Sequence, residues 1–122
     1  MRVWTPAEAN AALPRVRAAV ERVRALAEVA RERAGAAGGQ VRGNGHAPAS
    51  DVRAELAAAM GELAREDIVL RDLDSGLVDF PAVSPTGRAY WLCWVAGEPE
   101  VAWWHWPEDG FAGRRPLSDP PA

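Results

Sequence analysis

His105 is the residue of this sequence best suited to chemistry. It follows Trp103-Trp104 and precedes a segment bearing Glu108, Asp109, Arg114 and Arg115. An imidazole titrates near neutral pH and ligates metals, and a carboxylate beside it can orient the ring or share an ion. Asp79 is the second candidate, because it interrupts the apolar run Leu77–Val83. A buried carboxylate needs a partner, and Arg88 or Arg114 could supply one. Glu98 sits in a turn before Pro99, and Arg114 closes the glycine-bearing stretch GFAGR, which could frame a small anion nest. Asp79, Glu98, His105 and Arg114 are therefore the candidate ligand-binding residues. Each also has a structural reading: an aromatic-cluster histidine with Tyr90 across the strand, an arginine-paired acid, a solvated turn residue and a tight loop. No residue is assigned a catalytic role. No cofactor is expected, and a divalent metal at His105 stays open.

The lone cysteine, Cys93, rules out an internal disulfide framework. As a nucleophile it would need a lowered pKa and a nearby base. Zinc-finger spacing and a phosphate-binding glycine loop after a strand are both missing from the sequence. The net charge of -3 and pI near 5.4 speak against nucleic acid, as does the lack of arginine between 89 and 106. All 14 basic residues are arginine. They are unevenly placed: residues 1–33 carry +3 and residues 51–80 carry -5, which suits a basic helix beside an acidic one. No stretch is long and apolar enough for a membrane span. The start lacks the apolar core of a signal peptide, which makes the cytoplasm the expected location.

A chain of 122 residues supports one domain. Thr5-Pro6-Ala7-Glu8 reads as a helix start, with Thr5 as cap, Pro6 in the first turn and Glu8 reaching back. Apolar residues then recur at Ala9, Leu13, Val16, Val20, Val23, Ala27 and Ala30, alternating steps of 4 and 3 as in a coiled-coil seam. Pro14 predicts a kink or a short lead-in helix. Residues 35–50, with five glycines, predict a flexible connection that holds a solvated His46. A second helix follows to about Arg65, with Val52, Leu56, Ala59, Met60 and Leu63 on one face. From Asp67 the pattern becomes extended. Strands are expected at 68–73, 77–83, 89–95 and 100–106, with Pro81 placing the second at an edge. The fold class is α+β: an antiparallel two-helix hairpin over 5–66, its first helix kinked near Pro14, packed on a 3–4-stranded antiparallel sheet over 67–106. A C-terminal loop at 107–117 completes a single domain over 1–117, and 118–122 form a flexible tail.

Five of the six tryptophans fall between 91 and 106. An even-length turn sets Val95 opposite Glu100. That places Tyr90, Leu92, Trp94, Val101, Trp103 and His105 on one face, and Trp91, Cys93, Val95, Ala102, Trp104 and Trp106 on the other. Cys93 and His105 are then on opposite faces and cannot act together. Both faces are apolar, so the helical hairpin covers one and a second subunit covers the other, or the Ala/Val seam. Fold-back of residues 107–117 is the alternative cover.

The blocks Thr-Pro-x-x-Ala-Asn with Leu13-Pro14, GLVDFP at 76–81, LCWVAGE at 92–98, Trp104-His105 and GFAGR at 110–114 resemble the bacterial family known as domain of unknown function 2203. The resemblance implies a bacterial protein with a helical hairpin and a small sheet, and implies no activity. The residues themselves favour a homodimeric structural or interaction module without catalysis. The alternative is a metal-dependent or acid-base enzyme, or a small-molecule binder, with its site around His105.

Overall fold

The computed structural model describes residues 1–37 and 49–122. Helix α1 spans Pro6–Ala37 and α2 spans Ala49–Ala64. Five strands follow: β1 (Val69–Asp72), β2 (Leu77–Val83), β3 (Ala89–Val95), β4 (Trp103–His105) and β5 (Arg115–Pro116), with a single 3-10 turn at Phe111–Gly113 before β5. They form one antiparallel meander in sequence order. The fold is α+β with five strands rather than three or four. Most of the glycine-rich connection, including His46, lies outside the described residues.

The start of α1 forms the reciprocal cap that its residues prescribe. Glu8 N–H donates to Thr5 Oγ1 at 3.1 Å, and Thr5 N–H donates to Glu8 Oε1 at 3.0 Å. Pro14 lies inside this one helical element, so there is no separate lead-in helix. Pro14 is exposed, which spares its ring a clash with the core. The seam is real: Ala9, Leu13, Val16, Val20, Val23 and Ala27 are all buried. Arg15 pairs with Glu66 just beyond α2, and Arg22 lies 3.7 Å from Glu62. Rising numbers on α1 meet falling numbers at the end of α2, so the helices run antiparallel. These exposed pairs orient the helices and contribute little stability each. On α2, Val52, Ala59 and Leu63 are buried, whereas Met60 is 46% exposed. None of the described helices is long and apolar enough to cross a membrane.

Trp4, just before the cap, is a core residue. Its ring meets Phe80 edge-on at 5.3 Å, and its Nε1–H donates to the Glu66 carbonyl at 3.0 Å. β2 is an interior strand, contrary to the edge expected from Pro81. The reason is local. β1 stops at Val69, opposite Asp79. Beyond that point the same side of β2 meets the N-terminal segment, where Trp4 N–H donates to the Pro81 carbonyl at 2.7 Å. Proline's missing N–H therefore breaks no ladder bond. Gly76, at φ 70°, closes the β1–β2 turn so tightly that a Cβ there would lie 2.7 Å from the Ala96 Cβ.

The β3–β4 register differs from expectation. The structure pairs Trp91 with His105, Leu92 with Trp104 and Cys93 with Trp103. The strand expected over 100–106 shortens to 103–105 because residues 96–102 are held by side chains instead of a ladder. Val95 N–H donates to Glu98 Oε1, and Trp94 Nε1–H donates to the Glu98 carbonyl. Asn10 grips both backbone groups of Val101: its Nδ2 donates to the carbonyl at 3.0 Å and its Oδ1 accepts from the N–H at 2.8 Å. Changing the parity of a connection exchanges the faces of every later residue. The helix-facing side of the sheet consequently holds Val78, Phe80, Tyr90, Leu92, Trp94, Trp104 and Trp106, all buried. Tyr90, Trp104 and Trp106 meet edge-to-face, with the two indoles 4.9 Å apart.

The last residues, expected as a free tail, are docked. Trp104 Nε1–H donates to the Asp119 carbonyl at 2.8 Å, and Thr86 Oγ1–H donates to the Ala122 carbonyl. The Asn10 clamp should dominate the placement of β4. Asn10→Ala strands two backbone groups of a residue that is 1% exposed, a loss of about 2–4 kcal/mol. Urea unfolding followed by tryptophan fluorescence measures it.

Candidate functional site

On the sheet face turned away from the helices, three adjacent strands bring Asp79, Cys93 and His105 together. Asp79 of β2 lies directly opposite Cys93 of β3, and Cys93 lies opposite Trp103 of β4. His105 is diagonal to Cys93, beside Trp91. The imidazole and the carboxylate meet across β3, where cysteine is small enough to leave room. His105 Nε2 is 3.0 Å from Asp79 Oδ2, and one ligand atom from each of the three residues lies within 4.8 Å of the others. Exposures are 2% for Asp79, 0% for Cys93 and 4% for His105.

This is the grouping that the expected register had excluded. The cross-strand neighbour of His105 is Trp91, not Tyr90, and its polar partners are Asp79 and the Trp106 carbonyl, 2.9 Å from Nδ1. The carbonyl can only accept, so Nδ1 carries a proton and Nε2 is the nitrogen that faces the carboxylate.

Asp79 is paired by neither Arg88 nor Arg114. Its partner is Arg71, whose Nε–H donates to Oδ2 at 3.0 Å. Arg71 sits at the irregularity in β1, between the paired residues Leu70 and Asp72. Its guanidinium lies over the Trp91 ring at 4.6 Å. Arg88 is used elsewhere, against Glu108 at 2.6 Å and over Trp106 at 3.7 Å. Glu98 and Arg114 form a second unit on this side, with Arg114 Nη2 2.8 and 2.9 Å from the two Glu98 oxygens. Glu98 is thus a paired, partly covered residue rather than a solvated one. The Arg114 guanidinium stacks over Trp103 and Phe111, 4.9 Å from each centroid. The glycines of GFAGR serve a tight loop, since a Cβ on Gly113 would lie 2.5 Å from the Asp109 Cβ. Over the second sheet face, Arg71 thus lies on Trp91 and Arg114 on Trp103.

Two buried polar atoms on this face have no hydrogen-bond partner among the described residues: Asp79 Oδ1 and Arg114 Nε. Burial, and next the neighbouring Asp79 carboxylate, push the Cys93 thiol up to about 12. A thiol so protonated is not a nucleophile at neutral pH. Sequence reasoning missed Arg71. The signal for it was the short turn at Asp74-Ser75-Gly76, which folds residues 69–72 back beside Asp79.

Residues 2–117 match the family model described as an uncharacterized conserved protein, DUF2203. The chain belongs to this family. The DUF2203 match spans both helices, the whole sheet and every residue of the buried cluster. No curated protein and no solved structure matches the chain.

The raised thiol pKa sets a pH dependence for this DUF2203 protein. From 9.0 in the unfolded chain to about 12 when folded, the unfolded state loses the thiol proton first. Its contribution to stability is complete below pH 9 and declines as pH rises toward 12. Denaturant midpoints measured across that range should fall more steeply for the parent chain than for Cys93→Ala. Iodoacetamide should label the native thiol only at the rate at which the chain opens.

Proposed function

We propose that this DUF2203 chain is a homodimeric interaction module that performs no catalysis. One observation carries the reading: an apolar groove of about 450 Å³ between the end of α2 and β1, lined by Met1, Met60, Leu63, Ile68, Leu70 and Trp91. Met1 is 93% exposed and Met60 46% exposed beside it. Methionine packs adaptably, and an apolar hollow on a small surface is a favourable place for a protein contact. The ground for a second subunit is thus this groove rather than the part of the second sheet face around Asp79, Cys93 and His105, where Arg71 and Arg114 lie over Trp91 and Trp103. A two-fold dimer would set α2 and the β1 edge of one copy against the same surface of the other.

The rival reading, an acid-base or metal-dependent enzyme or a small-molecule binder around His105, has less support. Asp79, Cys93 and His105 are almost fully buried, which keeps a substrate from reaching them. The groove is lined by none of the three.

Sedimentation equilibrium tests the proposal. At micromolar concentration the parent chain should sediment as a dimer. Met60→Glu, which puts a carboxylate into the groove without touching the core, should weaken association by about tenfold or more while the circular dichroism spectrum is unchanged. A parent chain that stays monomeric overturns the reading.

A further inference from the structure

We propose that Asp79, Cys93 and His105 form a binding site for a divalent transition metal of the zinc class. The reading is independent of dimerisation and rests on the geometry of the three side chains. They supply one oxygen, one sulfur and one nitrogen, the mixed donor set that zinc accepts and that magnesium and calcium do not. The three donors come from three neighbouring strands of one sheet, which gives a rigid frame. They already lie within 4.8 Å of one another. Tetrahedral zinc, with bonds of about 2.0–2.3 Å, needs donors about 3.3–3.7 Å apart. Small rotamer adjustments, including a slight widening of the 3.0 Å contact between His105 and Asp79, reach that spacing.

Three further observations point to a cation at this position. The Nδ1–H of His105 donates to the Trp106 carbonyl, which fixes the tautomer so that Nε2 presents its lone pair. Metal-bound histidines are commonly oriented in this way. Nε2 then faces a carboxylate oxygen at 3.0 Å, so the nitrogen and oxygen donors already stand side by side. Finally, Asp79 Oδ1 is buried and unpartnered, although Asp79 is only 2% exposed. A carboxylate free at one oxygen, with the other fixed by Arg71, is held as a metal-binding carboxylate is held by its surroundings. The ion would take His105 as neutral imidazole, Asp79 as carboxylate and Cys93 as thiolate, with any protons they release passing to solvent. Three protein donors leave the fourth position to water, and Arg114 Nε–H is the unpartnered buried donor on this face. The ion would join β2, β3 and β4, and it would enter during folding or when the Arg71 and Arg114 side chains lift from their indoles.

The test is a cobalt(II) titration of the untagged full-length chain. Cobalt should bind one to one, with the near-ultraviolet thiolate-to-metal charge-transfer band and the intense visible bands of a tetrahedral site, and zinc should displace it. Zinc at a hundredfold excess over its Kd should raise the thermal midpoint by about 10 °C. Cys93→Ser, close in size, should lose the charge-transfer band, and Cys93→Ala should lose the zinc-dependent rise, with circular dichroism confirming that both variants fold. Absence of the band in the parent chain overturns the proposal without needing any variant. So does a cobalt spectrum that survives unchanged in Cys93→Ser, or an equal zinc effect in parent and Cys93→Ala.

Discussion

Asn10 holds the N–H and the carbonyl of Val101, a residue 91 positions later, and the arrangement of the outer sheet face depends on that grip. The connection from β3 to β4 has no ladder over residues 96–102. Without a fixed point its length and parity would be free to vary. With Val101 tied to the first turns of α1, and Glu98 tied to Val95 and Trp94, β4 enters the sheet in one register. That register sends Trp104 and Trp106 inward, where two large indoles and Tyr90 fill the space between sheet and helices. It also sends His105 outward, over the face that holds Asp79 and Cys93. The Asn10 and Glu98 contacts thus bear on both the core packing and the polar cluster.

The two faces of the sheet solve different physical problems. The inner face is apolar and edge-to-face aromatic, and the helix seam covers it. The outer face buries a carboxylate, an imidazole and a thiol, groups that cost free energy to desolvate unless paired. The chain shields them with guanidiniums stacked on indoles: Arg71 on Trp91 and Arg114 on Trp103. Arginine suits this role because its planar cation can stack on a ring and donate hydrogen bonds at the same time. A doubly apolar ribbon would have required a second subunit. Here the second face carries a polar cluster beneath stacked arginines, and among the described residues an apolar hollow lies open at the α2–β1 groove.

The elements governed by local rules were legible from their residues. The Thr5–Glu8 cap, the seam from Ala9 to Ala27, and strands 77–83 and 89–95 stand where their spacing places them, because capping, helical period and strand alternation act over a few residues. Asp79 and His105 were legible as candidates from residue type alone. Their partnership was not: Asp79 was matched to Arg88 or Arg114, and His105 to Tyr90. Arg71 pairs with Asp79 through the irregularity in β1, and composition carries no mark of that. Pro81 points to an edge strand, yet the strand that contains it is interior. The N-terminal segment, not solvent, occupies that side.

By itself, then, the sequence determined the element types, the helical seam, the aromatic composition of the third and fourth strands and the presence of a few polar residues that could do chemistry. Tertiary structure decided which of those residues meet. The reason is that side-chain direction along a strand has a period of two, so the face of β4 turns on whether its connection holds an odd or an even number of residues. A side chain on a distant helix settles that parity, and with it the meeting of Cys93 with Asp79 and His105.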